Sequence, residues 1–129
     1  MAVAGMNHYT MLTDNLDKTH AFYDEHLGLK PGARPPFTFP GAWLYAQGGN
    51  EAILHIIAGV ERKVLVKGVI DHMAFTGRDL VATVKKLKDH SIDYELRKLP
   101  AYGTWQLFSL DPNGAKVEID FDPGEAAPA

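Results

Sequence analysis

Residues 68–80 read Gly-Val-Ile-Asp-His-Met-Ala-Phe-Thr-Gly-Arg-Asp-Leu, which is a strand pattern that runs into the start of a helix. A similar pattern comes earlier, because residues 7–16 read Asn-His-Tyr-Thr-Met-Leu-Thr-Asp-Asn-Leu. In each stretch a leucine follows the histidine, His8 or His72, after eight positions. Two histidine-bearing strands at matching places predict a duplicated module.

The composition limits what the chain can be. A length of 129 residues with 46% hydrophobic residues is enough for one domain with a real core. A net charge of -3 argues against nucleic-acid and membrane-surface partners. The lack of cysteine excludes disulfides and thiolate metal sites and fits a reducing cytoplasm. No apolar run approaches the roughly 20 residues of a spanning helix, and the N-terminus lacks a signal-peptide pattern.

The first half predicts a strand, a helix and three more strands. The predicted ranges are a strand over 6–13, a helix ending at Leu27, a short strand from Leu29, and strands over 42–47 and 51–58. Asp14 or Asn15 is expected to cap the helix, and Gly28 to end it in the left-handed conformation. Prolines interrupt the short strand, so residues 33–40 are expected to form a loop.

The second half predicts the same order. The predicted ranges are a strand over 69–76, a helix from the cap Asp79 to about His90, and strands over 93–98, 103–110 and 115–121. Module 1 then covers about 6–58 and module 2 about 68–121, in one domain that spans 1–129. Residues 59–67 are expected to form a linker and residues 122–129 a frayed tail.

Matches between the halves share nearly one offset. The pairs are His8 with His72, His55 with Glu118 and Trp43 with Trp105, at offsets of 64, 63 and 62 positions. Each match is weak alone, but together they predict two βαβββ modules in an α+β fold. A pseudo-twofold between the modules would curve their mixed sheets around a central cup.

Four residues of these pairs are types that bind metals: His8, His55, His72 and Glu118. Alternate residues of a strand point to opposite faces, so all four are expected to face the cup and converge there. A single histidine on a strand is more often a hydrogen-bonded polar residue, and the equivalence of the pairs is what favours a metal site. Three imidazoles and one carboxylate suit zinc, nickel, cobalt, iron or manganese.

The chain resembles the vicinal oxygen chelate superfamily over residues 6–121. The matching pieces are Asn-His-Tyr-Thr (7–10), Ala-Phe-Tyr-Asp-Glu-His-Leu-Gly-Leu (21–29), Ile-Asp-His-Met-Ala-Phe (70–75) and Asp-Pro-Asn-Gly-Ala-Lys-Val-Glu-Ile (111–119). This group includes glyoxalase I, methylmalonyl-CoA epimerase, fosfomycin-resistance enzymes, extradiol dioxygenases and metal-free bleomycin-resistance proteins. The resemblance implies metal ligands at His8, His55, His72 and Glu118.

His55 departs from these patterns. Glyoxalase I members usually have a carboxylate at this position and the epimerase has an amide. Fosfomycin enzymes and dioxygenases use only the equivalents of His8, His72 and Glu118. With Glu118 as the only carboxylate, a divalent ion keeps a formal charge of about +1, which favours an anionic substrate. Glu118 is then the one internal carboxylate expected to move a proton, and so the expected catalytic residue.

The resemblance implies a divalent-metal enzyme of the lyase or isomerase type, acting on a small substrate through vicinal oxygens. One alternative is an extradiol-type dioxygenase with Fe(II) or Mn(II) on His8, His72 and Glu118. Another is a metal-free binding or resistance protein, although such relatives usually lose the ligands. Single-domain relatives are usually dimers, so a cytoplasmic homodimer is expected. The remaining histidines, His20, His26 and His90, are expected to be solvated or capping.

Overall fold

The computed structural model describes residues 1–2, 4–61 and 70–129, and its elements fall into two compact units. The first unit holds β1 (Tyr9–Leu12), α1 (Leu16–Leu27), β2 (Lys30–Pro31), β3 (Gly41–Tyr45) and β4 (Ala52–Ile57). The second holds β5 (Met73–Thr76), α2 (Leu80–Asp89), β6 (Tyr94–Lys98), β7 (Trp105–Leu110) and β8 (Lys116–Phe121). Most of the predicted linker over 59–67 lies outside the described residues. Neither helix of the described part is long and apolar enough to cross a membrane.

The two units have the same topology. Their sheets run in the orders β1-β4-β3-β2 and β5-β8-β7-β6. In each unit the strands that come first and last in the chain, β1 with β4 and β5 with β8, pair in parallel. The other pairs are antiparallel, so both sheets are mixed. Tyr9 pairs with Leu54, and Met73 pairs with Val117. The prediction of an α+β fold made of two βαβββ modules is confirmed.

Helix α1 begins and ends as predicted. The Asn15 side chain accepts a hydrogen bond from the Lys18 N–H at 3.0 Å, and Gly28 ends the helix with φ at 68°. Tyr23 of α1 is fully buried, and its hydroxyl donates to the Met11 sulfur at 3.7 Å. The helix therefore covers the sheet face opposite to the one that carries His8 and His55.

Helix α2 carries an apolar stripe at helical spacing. Its buried residues are Leu80, Val84 and Leu87. The Asp79 side chain caps the helix by accepting from the Ala82 N–H at 3.1 Å, as predicted. On β8 the residues with buried side chains on this face are Val117, Ile119 and Phe121. The apolar side of the second sheet is thus closed by its own helix in the same way as the first.

The prediction that residues 122–129 are frayed is wrong. The Glu125 carboxylate accepts hydrogen bonds from the backbone N–H groups of Asp79, at 2.6 Å, and Leu80, at 3.1 Å. The Trp105 indole N–H donates to the Glu125 carbonyl at 3.1 Å. The first N–H groups of a helix have no partner inside the helix and attract negative charge, which is why a carboxylate holds this segment in place.

Two of the three remaining histidines, His90 and His26, have different surroundings. His90 lies at the C-terminus of α2 and its Nδ1 is 2.8 Å from the Lys86 carbonyl, so the expected capping role is confirmed. His26 is buried, with its ring 5.1 Å from that of Phe22, so the expectation of a solvated side chain is wrong there. Its position on the apolar side of α1 explains the burial, because the other side chains of that side are also enclosed.

Candidate functional site

The two equivalent histidines, His8 and His72, each lie one residue before the first strand of their unit. The sequence predicted them inside longer strands, and this is wrong for both. Pairing with the parallel neighbour starts only at Tyr9 in one sheet and at Met73 in the other. Each imidazole is therefore at the open end of a parallel strand pair, where its ring is accessible.

In the first unit His8 meets His55. Their rings are stacked, with centroids 3.8 Å apart and planes 12° apart. Trp43 of β3 is paired with His55 in the sheet and stacks on its other side, at 4.0 Å and 10°. His55 is thus held between two aromatic rings on the face away from α1.

The stack sets the protonation of His55. Burial of the ring lowers the pKa of His55, and a charge on His8 lowers it further. The neutral form, which is the form that binds metals, is therefore favoured at neutral pH.

The same stack constrains coordination by His8 and His55. A bound ion lies about 2 Å from the imidazole nitrogen, along the lone pair in the ring plane. Planes that are 12° apart at a separation of 3.8 Å do not meet that close to both rings. For both side chains to bind one ion, one ring has to turn, and Trp43 opposes a turn of His55.

The aromatic contacts continue away from the histidines. The Phe37 ring is 6.3 Å from that of Trp43, and the Arg34 guanidinium lies 5.0 Å above Phe37. Arg34 also donates to the Phe39 carbonyl at 3.0 Å. This face of the first sheet therefore offers a flat aromatic surface with one cation at its end.

In the second unit His72 meets Glu118. The His72 Nε2 is 2.6 Å from the Glu118 Oε2, and the other carboxylate oxygen accepts from the Gln106 side-chain amide at 2.7 Å. Glu118 is only 5% exposed, whereas the His72 side chain is 32% exposed. A buried carboxylate is therefore fixed by two partners, one of which is open to solvent.

The second nitrogen of His72 is also occupied. Its Nδ1 is 2.8 Å from the Asp71 Oδ2, which the Lys116 ammonium also approaches at 3.4 Å. The hydrogen bond from His72, and after it the one from Lys116, hold the pKa of Asp71 below its ordinary value. An ionised Asp71 only accepts, so the Nδ1 of His72 carries the hydrogen.

Asp120 is a further carboxylate beside Glu118 that the sequence argument missed. It lies two residues after Glu118 on β8, so both side chains are on the same face. Burial and the hydrogen-bonded Glu118 carboxylate raise the pKa of Asp120 to about 6. Strand alternation was the signal that could have found it, and Glu118 is not the only carboxylate available to move a proton.

The counterpart of Trp43 in the second unit is not Trp105. Phe108 pairs with Glu118 as Trp43 pairs with His55, so the predicted match of the two tryptophans is wrong. The reason is that Trp43 lies 12 positions before its partner and Phe108 only 10 before its own, and a bulge between β3 and β4 contributes to this difference. The Phe108 ring meets the edge of His72 at 5.9 Å.

Two cations lie over the Phe108 ring. The Arg97 guanidinium is 4.8 Å from the ring centroid and the Lys116 ammonium is 5.0 Å from it. Arg97 also donates to the Gln106 side-chain oxygen at 3.2 Å. Gln106 thereby links this positive charge to the carboxylate of Glu118.

The four predicted ligands thus form one pair in each unit, His8 with His55 and His72 with Glu118. Within the described residues of either unit, no group of three or more His, Asp or Glu side chains is arranged to hold a metal. By donor chemistry each pair consists of residue types that bind first-row divalent ions. The arrangement of His72 fits best, because metal-binding histidines usually donate their other N–H to a carboxylate.

The topology and these donor pairs define a class of α+β proteins made of two βαβββ modules with metal-binding residue types at equivalent positions. A model of the Glyoxalase/Bleomycin resistance protein/Dioxygenase superfamily matches residues 5–119. The chain belongs to this superfamily, which confirms the resemblance seen in the sequence.

Three similar proteins illustrate the relationship. Glyoxylase I 4 of Arabidopsis thaliana is 31% identical in an alignment of 126 positions, which covers 91% of this chain and 70% of that protein. A glyoxylase/bleomycin resistance protein/dioxygenase domain from Frankia sp. EAN1pec has a TM-score of 0.74 at 20% identity, over 97% of this chain and 96% of that one. A mutant of the fosfomycin resistance protein FosX from Listeria monocytogenes, solved with Mn(II) and 1S,2S-dihydroxypropylphosphonic acid, has a TM-score of 0.73 at 15% identity, over 94% of each chain. The two solved structures support the fold alone.

Proposed function

We propose that the protein is a divalent-metal-dependent enzyme of the lyase or isomerase type, acting on a small substrate through two vicinal oxygens. The observation that carries this proposal is the contact of His72 Nε2 with Glu118 Oε2 at 2.6 Å, with the Nδ1 of His72 bonded to Asp71. Two donors of different type meet there on an open face. The relationship to a protein named Glyoxylase I 4 supports the reaction class.

His8, His55, His72 and Glu118 are the residues proposed to hold the ion. Zinc, nickel, cobalt, iron and manganese all suit this donor set. When bound, the ion would polarise a substrate carbonyl and stabilise negative charge on its oxygen. The Mn(II) and the diol phosphonic acid in the related FosX structure are compatible with a substrate that has neighbouring oxygens.

Glu118 is the proposed catalytic residue. Its Oε1 is held by Gln106 and its Oε2 contacts His72 Nε2, so in the proposed role Oε2 would leave His72 to take a proton from one substrate carbon and return it to the next. A carboxylate is most effective as a general acid or base when its pKa lies near the pH at which the enzyme works. Asp120 is hydrogen-bonded to Glu118 and its pKa is raised to about 6, so this second carboxyl can hold a proton beside the first.

The charges around Phe108 favour an anionic substrate. Arg97 and Lys116 lie over this ring on the same sheet face as Glu118. With one carboxylate among the four proposed ligands, the ion also keeps positive charge. We therefore propose a substrate that carries a carboxylate or phosphonate in addition to its vicinal oxygens.

Metal analysis tests the proposed function. Protein purified without added metal, and a sample loaded with Zn²⁺, Ni²⁺ or Mn²⁺ and then desalted, are expected to contain about one ion per chain. His72→Ala should lose this ion and Glu25→Gln, on the exposed side of α1, should keep it. No stoichiometric metal in either wild-type sample would contradict the enzyme proposal and leave the metal-free binding protein.

The identity of the metal separates the two enzymatic alternatives. Zinc, nickel or cobalt that supports conversion of 2-oxoaldehyde adducts or hydroxy acids would favour the lyase or isomerase. Air-sensitive iron, with oxygen uptake on catechols, would favour the extradiol dioxygenase.

Among the four proposed ligands, His55 is the one whose coordination the aromatic stack constrains most, so its contribution is tested separately. His55→Ala is expected to lower metal affinity roughly tenfold, through loss of the fourth donor. Unchanged affinity would mean that His55 belongs to the stack with Trp43 and His8 and does not bind the ion. The Co²⁺-loaded protein adds a second measurement, because loss of a ligand changes the visible spectrum even where affinity changes little.

We also propose a cytoplasmic homodimer. Light scattering at micromolar concentration should give twice the mass of 14.2 kDa. A monomer that still binds one ion per chain would contradict the dimer and leave the enzyme proposal intact.

A further inference from the structure

Each of the two equivalent histidines is preceded by a residue that bonds its Nδ1. The Asn7 Oδ1 is 2.7 Å from the Nδ1 of His8, and the Asp71 Oδ2 is 2.8 Å from the Nδ1 of His72. Asn7 and Asp71 are themselves equivalent positions of the two modules. The duplication therefore extends from the histidines to the groups that orient them.

In the first unit a third residue fixes the direction of this hydrogen bond. The Asn7 side-chain nitrogen donates to the Glu51 Oε2 at 3.3 Å. A carboxylate only accepts, so the amide nitrogen of Asn7 faces Glu51 and the amide oxygen faces His8. The Nδ1 of His8 must then carry the hydrogen, and Nε2 is the nitrogen with the free lone pair.

In the second unit the charges fix the direction. Asp71 accepts from the Lys116 ammonium at 3.4 Å as well as from His72. With Nδ1 donating to Asp71, the Nε2 of His72 is the atom that reaches Glu118 at 2.6 Å. In both units Nδ1 is thus bonded to the preceding residue. The Nε2 of His8 has its lone pair available, and the Nε2 of His72 shares a proton with the Glu118 carboxylate across the 2.6 Å contact in the metal-free protein.

We propose that Asn7 and Asp71 are a matched pair of positioning residues, which hold His8 and His72 in the Nδ1–H form and present both Nε2 atoms to the metal. This inference rests on the proposed function. The pair is also asymmetric, because Asn7 is neutral and Asp71 is anionic. A carboxylate partner makes an imidazole a stronger donor, so His72 binds the ion more tightly than His8.

The tautomers of the metal-free protein give the first test. Nitrogen NMR of histidine-labelled, metal-free protein at pH 8.5 should show a hydrogen on the Nδ1 of both His8 and His72 in the wild type. Asn7→Ala and Asp71→Ala should each return the adjacent histidine to the Nε2–H form that unconstrained imidazole prefers, and Asp71→Asn should keep Nδ1–H. Alanine variants that keep Nδ1–H would overturn the positioning role.

Metal affinity gives the second test, by competition with a zinc chelator. Asp71→Ala is expected to weaken binding about 10- to 100-fold and Asn7→Ala less than that. Two variants that exchange amide and carboxylate separate charge from orientation. Asp71→Asn should weaken metal binding severalfold while the hydrogen stays on the Nδ1 of His72. Asn7→Asp should strengthen metal binding. If both exchanges leave affinity within about twofold of the wild type, the proposed asymmetry is wrong.

The controls keep the outcomes distinct. Asn7 and Asp71 are exposed, so their variants are expected to fold, and Asp89→Asn, an exposed change on α2, should alter neither tautomer nor affinity. A wild-type protein that binds no metal would contradict the proposed function. The tautomer spectra do not require metal, so they decide the positioning role in that case as well.

Discussion

The donor pairs of the two units occupy the same place in the same topology and have opposite characters. His8 and His55 stack as two imidazoles beside Trp43, whereas His72 contacts the Glu118 carboxylate at 2.6 Å beside Phe108. The repeated register of the parallel strands sets the positions. Side-chain identity alone then decides that one unit has two imidazoles at these positions and the other has an imidazole and a carboxylate.

The surroundings follow the same division. Around His55 the contacts are aromatic, and burial favours its neutral form. Around Glu118 the contacts are polar or charged, with Gln106, Arg97 and Asp120 on one sheet face. A duplicated fold thus carries aromatic surroundings in one half and charged surroundings in the other.

The largest effect is expected from Glu118→Gln, which makes the second pair neutral like the first. Removal of the anionic donor should weaken metal binding more than about 100-fold, since changes outside the ligand shell already cost 10- to 100-fold. Activity should be lost along with the proton carrier. Chelator competition and turnover of the metal-loaded variant measure the two losses.

Glu25→Gln is the matched control for Glu118→Gln, because it removes a carboxylate from an exposed helical position. Retained metal affinity in Glu118→Gln would mean that the charge of the second unit is not what holds the ion.

A smaller effect is expected from Trp43→Ala, which opens the stack of the first unit. His55 would regain water on one side, so its pKa should rise toward the ordinary value of about 6.5. Trp43→Phe keeps a ring at this position and should leave the pKa lowered. Proton NMR titration of the histidine ring signals measures both variants, and equal pKa values in the two would show that Trp43 does not shield His55.

The smallest effect is expected from Asp120→Asn in chelator-treated protein. The pKa of Asp120 is raised from 3.8 to about 6 in the folded state. Between these two values the folded protein holds a proton that the unfolded chain has released, so the free energy of unfolding falls as the pH rises. Asparagine cannot ionise, so it does not share this loss. The Tm difference between the variant and the wild type should therefore increase by about 2–4 °C in favour of the variant when the pH is raised from 5 to 7.5. A Tm difference that does not depend on pH would contradict the raised pKa.

Most of the fold could be predicted because its signals are local. Asn15, Gly28 and Asp79 mark helix ends through hydrogen bonds to residues a few positions away, and strand alternation identifies the face that carries His55 and Glu118. The nearly constant offset between matching residues was sufficient to identify the two units as copies of one module.

The errors concern contacts between distant parts of the chain or small changes in register. Trp43 lies 12 positions before His55 and Phe108 only 10 before Glu118, a difference to which the bulge between β3 and β4 contributes, so a single offset does not identify Phe108 as the counterpart of Trp43. The stacking of His8 on His55 depends on side-chain rotation, which residue spacing does not specify. The docking of Glu125 depends on a partner 45 positions earlier.

The contact of Glu125 with α2 has a consequence for the order in which the protein can be completed during synthesis. Helix α1 is capped by its own Asn15, so its N-terminus is satisfied once Lys18 has been made. The backbone N–H groups of Asp79 and Leu80 donate to the Glu125 carboxylate, which is synthesised 46 and 45 positions later. Since domains fold as the chain grows, the first unit can mature while helix α2 of the second stays incompletely capped until Glu125 is added.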